Sequence, residues 1–154
     1  MNHSHQTDQP DGSSHVDATP VDLEEAIEHS EFVCRTPKAL AAYRAAAPKQ
    51  SIVRRAICDY LYPPVILDIA VDPGPVVAGK RVKIWAYDDT KIVCLSLRIL
   101  DAAGHQLESG RTHESGDCWE YYVGSYAAER MATIEVGASD LAGNFTDKVQ
   151  AVNP

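Results

Sequence analysis

The sequence lacks long apolar stretches, since no run in its 154 residues approaches the roughly 18 apolar residues that a membrane-spanning helix requires. It is also poor in bases, with 14 Lys and Arg against 22 Asp and Glu and a formal net charge of −8. The missing apolar run predicts that no helix spans a membrane. Because an acidic surface repels phosphate backbones, we also expect no nucleic-acid partner. The N-terminus has no basic region followed by an apolar stretch, so we expect no secretory signal and, if the chain is full length, a cytoplasmic protein.

Cysteines are few and widely spaced, at positions 34, 58, 94 and 118, and none forms a Cys-x-x-Cys pair. Structural zinc sites usually draw their ligands from such close pairs. We therefore predict four reduced thiols buried as small apolar residues, with one or more disulfides as the alternative. Phosphate-binding glycine loops and the Gly-x-Ser-x-Gly and His-Glu-x-x-His motifs are absent as well. The prediction is a non-enzymatic protein with no cofactor and no metal site.

Two groups of side chains nevertheless have metal-binding chemistry. Residues 113–118 hold His, Glu, Asp and Cys in a polar segment, but their spacing fits no known site. Four aspartates could gather at one end of a sheet structure and bind Ca²⁺, a cation that prefers oxygen ligands: Asp88, Asp89, Asp140 and Asp147. Capping of turns explains these aspartates more simply, so we predict no metal site.

Residues 21–62 have the pattern of two to three short helices, and they follow a polar tail over residues 1–20 that has no apolar period. Capping residues mark three starts, at Asp22, at Thr36 before Pro37, and at Ser51. The dipeptide Pro63-Pro64 ends the third helix.

Charge is sharply divided within this half of the chain. Residues 1–33 carry eight acids and no Lys or Arg, whereas residues 34–62 carry six bases and a single acid, Asp59. An apolar helical stripe with a basic rim suits an acidic protein partner, so we predict that this surface binds a protein or a second copy of the chain. Its candidate residues are Arg44, Arg54, Arg55, Ile57, Tyr60 and Leu61. The alternative is that the acidic segment simply packs beside the basic helices.

From Pro64 onward the apolar period changes from that of a helix to that of a strand. Short alternating segments recur at intervals of about ten residues with turn residues between them, which is typical of an antiparallel sandwich. We predict a mostly β protein in which residues 64–154 form a β-sandwich of about seven strands, with residues 109–117 as a polar loop. The side chains predicted to lie inside are Val82, Ile84, Leu95, Leu97, Trp119, Tyr121, Ile134 and Val136.

Two segments of this half resemble bacterial immunoglobulin-like and fibronectin-type-III-like domains. Residues 136–144, Val-Gly-Ala-Ser-Asp-Leu-Ala-Gly-Asn, resemble their penultimate hairpin, and residues 82–89 resemble their second strand. Gly143-Asn144 permits a positive φ in a tight turn, and Asp140 can accept backbone N–H groups there. The resemblance implies an immunoglobulin-like sandwich used as a protein-binding or assembly module. A carbohydrate-binding accessory domain at the cell surface is the alternative.

A carbohydrate-binding domain would need outward-facing aromatic residues. Trp85, Tyr87, Tyr122 and Tyr126 fall on the outward phase of their segments, and they would be neighbours if those strands pair. Such a patch could bind a glycan or a protein, or it could be the surface on which the helices pack.

Overall fold

The computed structural model describes residues 20–73 and 79–152. The predicted polar tail lies outside the described residues except for Pro20, and the turn predicted at residues 72–75 is described only as far as Pro73. None of the helices in the described ranges combines the length and the apolar character that crossing a bilayer demands.

Three helices come first, and the capping residues predict the starts of the second and third: α1 (Pro20–Arg35), α2 (Pro37–Ala46) and α3 (Ile52–Leu61). Thr36 is the N-cap of α2 before Pro37, and the Ser51 hydroxyl caps α3 by accepting a hydrogen bond from the Arg54 N–H at 3.4 Å. The prediction for Asp22 is wrong, because α1 begins two residues earlier and places this acid inside its first turn. A carboxylate there still opposes the positive end of the helix dipole.

Eight strands follow in the described part of the chain, where about seven were predicted. They are β1 (Val65–Val71), β2 (Lys80–Tyr87), β3 (Ile92–Leu100), β4 (Gln106–Arg111), β5 (His113–Ser115), β6 (Cys118–Val123), β7 (Thr133–Asp140) and β8 (Phe145–Ala151). The first sheet has the order β1-β2-β6-β5 and the second has the order β4-β3-β7-β8, with every neighbouring pair antiparallel. The protein is therefore mostly β, with two antiparallel sheets in a sandwich-like architecture.

The main core is built from the inward phase of the strands. Six of the eight side chains predicted to lie inside are buried: Val82, Ile84, Leu95, Leu97, Ile134 and Val136. Burying each of them stabilises the fold by about 1.5–3 kcal/mol. Trp119 and Tyr121 are only half-buried and pack against the margin of this core. The Tyr121 hydroxyl donates to Glu108 Oε1 at 2.7 Å, and this polar end holds the ring at the rim.

A second, smaller cluster holds the helices together. Val33, Tyr43 and Ala56 come from the three helices in turn and are buried against one another. Leu141, just beyond β7, packs against the same cluster. The helices therefore rest on the end of the second sheet rather than standing free.

Two further predictions for the β half are wrong. Residues 109–117 are not a loop, because β4 pairs with β3 in a ladder that brings Ser96 opposite Arg111, and β5 pairs with β6. Both are edge strands, which tolerate polar side chains. A short helix that the sequence analysis did not predict, α4 (Ser125–Arg130), follows β6 and buries Ala127 and Ala128.

The cysteines are free, but their predicted burial holds only in part. Cys118 is buried, Cys58 and Cys94 are half-buried, and Cys34 is exposed. Cys34 lies in the last turn of α1, one residue after the buried Val33.

Candidate functional site

Carboxylates from three parts of the chain meet where the helices touch the sheets. Asp59 belongs to α3, Asp88 and Asp89 follow β2, and each offers an oxygen that lies within 4.8 Å of the other two. Asp140, the last residue of β7, lies close enough to raise the pKa of Asp59 by charge repulsion. These four aspartates are called the acidic joint below.

Asp140 organises the turn that reaches α3. Its Oδ1 accepts hydrogen bonds from the N–H groups of Gly143 and Asn144 at 2.9 and 2.8 Å. Gly143 has a φ of +94°, the left-handed conformation that glycine adopts without strain. The Asn144 side chain then donates from Nδ2 to Asp140 Oδ2 at 2.8 Å and to the main-chain oxygen of Asp59 at 2.6 Å. This turn therefore fastens the second sheet to α3.

The turn after β2 is capped in a similar way. Asp88 Oδ1 accepts hydrogen bonds from the N–H groups of Thr90 and Lys91 at 2.8 and 2.6 Å. Asp89 lies 3.4 Å from Arg55 Nη1 through Oδ2, and the main-chain oxygen of Asp89 accepts a hydrogen bond from the same guanidinium. Arg55 is thereby drawn inward from α3 to the β2–β3 turn.

Asp59 is the most deeply placed member, with 0 % of the residue exposed. Its Oδ2 accepts a hydrogen bond of 2.5 Å from the Tyr43 hydroxyl, which itself lies 3.1 Å from His29 Nε2. Its other oxygen, Oδ1, is buried without a hydrogen-bond partner, and so is Asp88 Oδ2. Buried polar atoms are normally satisfied, so these two oxygens require a physical explanation.

Burial disfavours the charged forms of these acids. It raises the pKa of Asp59 to about 6, against the opposing effect of the hydrogen bond from Tyr43. Burial also raises the pKa of Asp88 and of Asp140. Next to them, burial and the bond to Asp59 raise the pKa of Tyr43, and burial lowers that of His29. A proton or a bound cation would therefore stabilise the carboxylates of the joint.

The predicted helical binding residues divide into two groups. Arg44 and Arg54 are exposed, whereas the others are half-buried: Arg55, Ile57, Tyr60 and Leu61. The Tyr60 hydroxyl donates to Glu25 on α1 at 3.0 Å, and its ring lies 5.2 Å from that of His29. The acidic helix α1 therefore packs along α3 and covers part of the predicted surface.

The predicted aromatic residues do not lie close together. Trp85, Tyr87 and Tyr122 share the outer face of the first sheet, but Tyr122 pairs with Arg81, about 20 Å from Tyr87 along β2. The Tyr122 ring stacks on His113 with centroids 5.8 Å apart. Tyr126 lies on α4, where the Arg130 guanidinium is 5.1 Å from the centre of its ring.

A second exposed group combines the predicted Tyr87 with three residues that the sequence analysis missed. Tyr62 and Val65 are each 49 % exposed, and Leu67 and Tyr87 are each 59 % exposed. Val65 lies opposite Tyr87 in the β1–β2 ladder, and Leu67 occupies a bulge two residues further on. We name these four residues the β1–β2 patch. The available signal was β1 itself, which reads Val-Ile-Leu-Asp-Ile-Ala-Val and is more apolar than a strand with one wet face requires.

Comparison with known proteins found no matching family model and no significant match among curated proteins or solved structures. Any function must therefore be argued from the geometry of the chain itself.

Proposed function

We propose that the chain is a non-enzymatic protein-binding or assembly module built on an immunoglobulin-like or fibronectin-type-III-like sandwich. The proposed class is supported by the two four-stranded antiparallel sheets and by the Asp140–Asn144 turn between β7 and β8. That turn carries the hairpin residues on which the resemblance rests.

The β1–β2 patch is the observation that carries the binding function. Soluble monomers rarely leave a contiguous apolar surface exposed unless it is used. Here Val65 and Tyr87 face outward as a directly opposed pair, so one partner surface can cover both. Tyr62 extends this group toward α3, because it follows Leu61 directly in the chain.

The partner covers the face of the first sheet rather than adding a strand to its edge. Lys148 on β8 donates from Nζ to the main-chain oxygen of Leu67 at 2.6 Å, and so occupies an acceptor on β1. A lysine at a strand edge opposes pairing with another chain. We therefore propose a protein partner that presents an apolar surface, with the exposed Arg44 and Arg54 as a separate basic region for an acidic counterpart.

A photo-crosslinking amino acid placed at position 87 tests this proposal in cells that express the chain. Tyr126 is the matched control, because it is also an exposed tyrosine but follows β6, whose Val123 end lies opposite Lys80 at the far end of β2. We expect a discrete crosslinked protein from position 87 that is absent from position 126. A product of twice the chain mass would identify the partner as a second copy. Equal labelling from both positions, or none from position 87, would contradict the proposal.

The carbohydrate alternative rests on Trp85, which faces outward opposite Asp68 and next to Tyr87. An aromatic ring beside a carboxylate offers a stacking surface and a hydrogen-bond acceptor to a sugar. A glycan array tests it, with Trp85→Ala as the variant expected to lose any signal and Tyr126→Ala as the control expected to keep it. Glycan binding without a crosslinked protein would favour this second function.

A further inference from the structure

We propose that the acidic joint binds a divalent cation of the calcium type between α3 and the β2–β3 turn. Oxygens from Asp59, Asp88 and Asp89 lie within 4.8 Å of one another. Two ligands on one Ca²⁺ ion can be separated by at most twice the Ca–O distance of about 2.4 Å, so the three oxygens can share an ion without large movement. This inference does not depend on the proposed protein-binding function.

The independent support is the pair of buried oxygens that have no partner. Asp59 is fully buried, and its Oδ1 and Asp88 Oδ2 lack a hydrogen-bond donor. The Arg55 Nε–H is also buried without a partner, but one N–H cannot satisfy two separate oxygens. The nearby hydroxyls are engaged, because that of Tyr43 bonds to Asp59 Oδ2 and that of Thr90 bonds to Asp89 Oδ1 at 3.3 Å. A hydroxyl has one proton to donate, so neither group can satisfy the free oxygens as well.

Charge favours the same conclusion. Four carboxylates meet at the joint, and the ion pair that the structure describes for them is that of Asp89 with Arg55. Asp140 is supplied with three donors, two main-chain N–H groups and the Asn144 amide, so it adds negative charge rather than a free ligand. A hard dication would offset the remaining charge and satisfy both free oxygens, because calcium is held by carboxylate, carbonyl and water oxygens.

One ligand of the joint, Asp89, is reached directly from a cavity. A cavity of about 260 Å³ between α3 and the β2–β3 turn is lined by Gln50, Arg54, Arg55, Cys58 and Asp89. The Asp89 side chain is 27 % exposed, so hydrated calcium can reach this ligand first. Since Asp59 belongs to α3 and the other two ligands to the turn, a bound ion would tie the helices to the sheets.

Terbium and calcium binding to the full chain test this inference. Tb³⁺ replaces Ca²⁺ at oxygen sites and is excited by a nearby tyrosine, and Tyr43 bonds directly to Asp59. We expect saturable terbium luminescence that calcium displaces, and a melting temperature that rises with calcium. Asp88→Asn should weaken calcium binding at least tenfold. Asp147→Asn should leave calcium binding unchanged, because Asp147 belongs to β8, lies opposite Gly137 of β7 and is outside the joint.

The result that overturns the proposal is equally defined. It fails if the wild-type chain shows no saturable binding up to about 10 mM calcium, which is about ten times the Kd of about 1 mM that marks the weakest calcium sites in proteins. It also fails if Asp88→Asn binds as tightly as the wild type. Circular dichroism without calcium tests whether Asp88→Asn is folded. If it is not folded, Asp89→Asn replaces it as the ligand variant.

Discussion

The side-chain amide of Asn144 donates a hydrogen bond of 2.6 Å to the main-chain oxygen of Asp59, which lies 85 residues earlier in the chain. The same amide also binds Asp140 Oδ2, so a single side chain joins the end of the second sheet to α3. Because the main-chain acceptor belongs to the helix backbone, this contact constrains where α3 lies and not merely how one side chain is oriented.

Replacing Asn144 by Ala should destabilise the protein by about 1–3 kcal/mol, because buried acceptors on Asp59 and Asp140 lose their donor. Urea unfolding followed by circular dichroism measures this loss. Gln106→Ala is the control, because its exposed amide bonds to Ser109 at 3.3 Å and its loss should change stability by less than about 0.5 kcal/mol. Equal effects of the two substitutions would show that the Asn144 contacts do not hold the joint.

The pH dependence of stability should contain a contribution from Asp59. Its pKa of about 6 in the folded protein is above its ordinary value of 3.8, so between these pH values the folded state binds more protons than the unfolded state. Stability from this group is therefore present below pH 4 and is lost as the pH rises through 6. Asp88 and Asp140 act in the same direction, whereas His29, whose pKa is lowered, acts in the opposite direction.

Comparison with Asp59→Asn isolates this contribution, because His29 is present in both proteins. In the presence of a chelator, the variant should gain stability relative to the wild type by on the order of 2 kcal/mol between pH 4.5 and 7.5. The measurement is urea unfolding at a series of pH values. A difference between the two proteins that is constant with pH would mean that Asp59 titrates normally in the fold.

A separate prediction concerns Leu97, a buried residue of the main core. Leu97→Ala should cost about 2–5 kcal/mol, because it removes buried methyl groups and leaves a cavity. Val93 is on the same strand but is 45 % exposed, so Val93→Ala should cost less than about 1 kcal/mol. Thermal or urea unfolding of both variants checks the inward phase of β3, and similar losses would contradict it.

Local patterns in the sequence were sufficient to predict α1, α2, α3 and most strands. The alternation around Val82 and Ile84 and the capping at Ser51 depend on neighbours within a few residues, so they can be recognised without the tertiary structure. The continuation of β4 over residues 109–111 could not be predicted, because these polar residues have no apolar alternation and are held as an edge strand by their pairing with β3.

The acidic joint, too, could be predicted only in part from local sequence patterns. Asp88 and Asp140 were recognised as turn residues, and the structure gives both of them the expected backbone donors. Asp59 was visible only as the one acid among the bases of residues 34–62. Its meeting with Asp88 depends on how α3 packs on the sheets, and no local period carries that information.

Hydrogen exchange of the wild type and Asn144→Ala tests the attachment of the helices through the acidic joint most directly. The helices have their own small core of Val33, Tyr43 and Ala56, so they can open while the main core stays closed. We predict that the variant loses about tenfold in amide protection across α3 (Ile52–Leu61), while β3 and β7 lose much less. Unchanged protection of α3, or an equal loss in α3 and the two strands, would contradict this attachment.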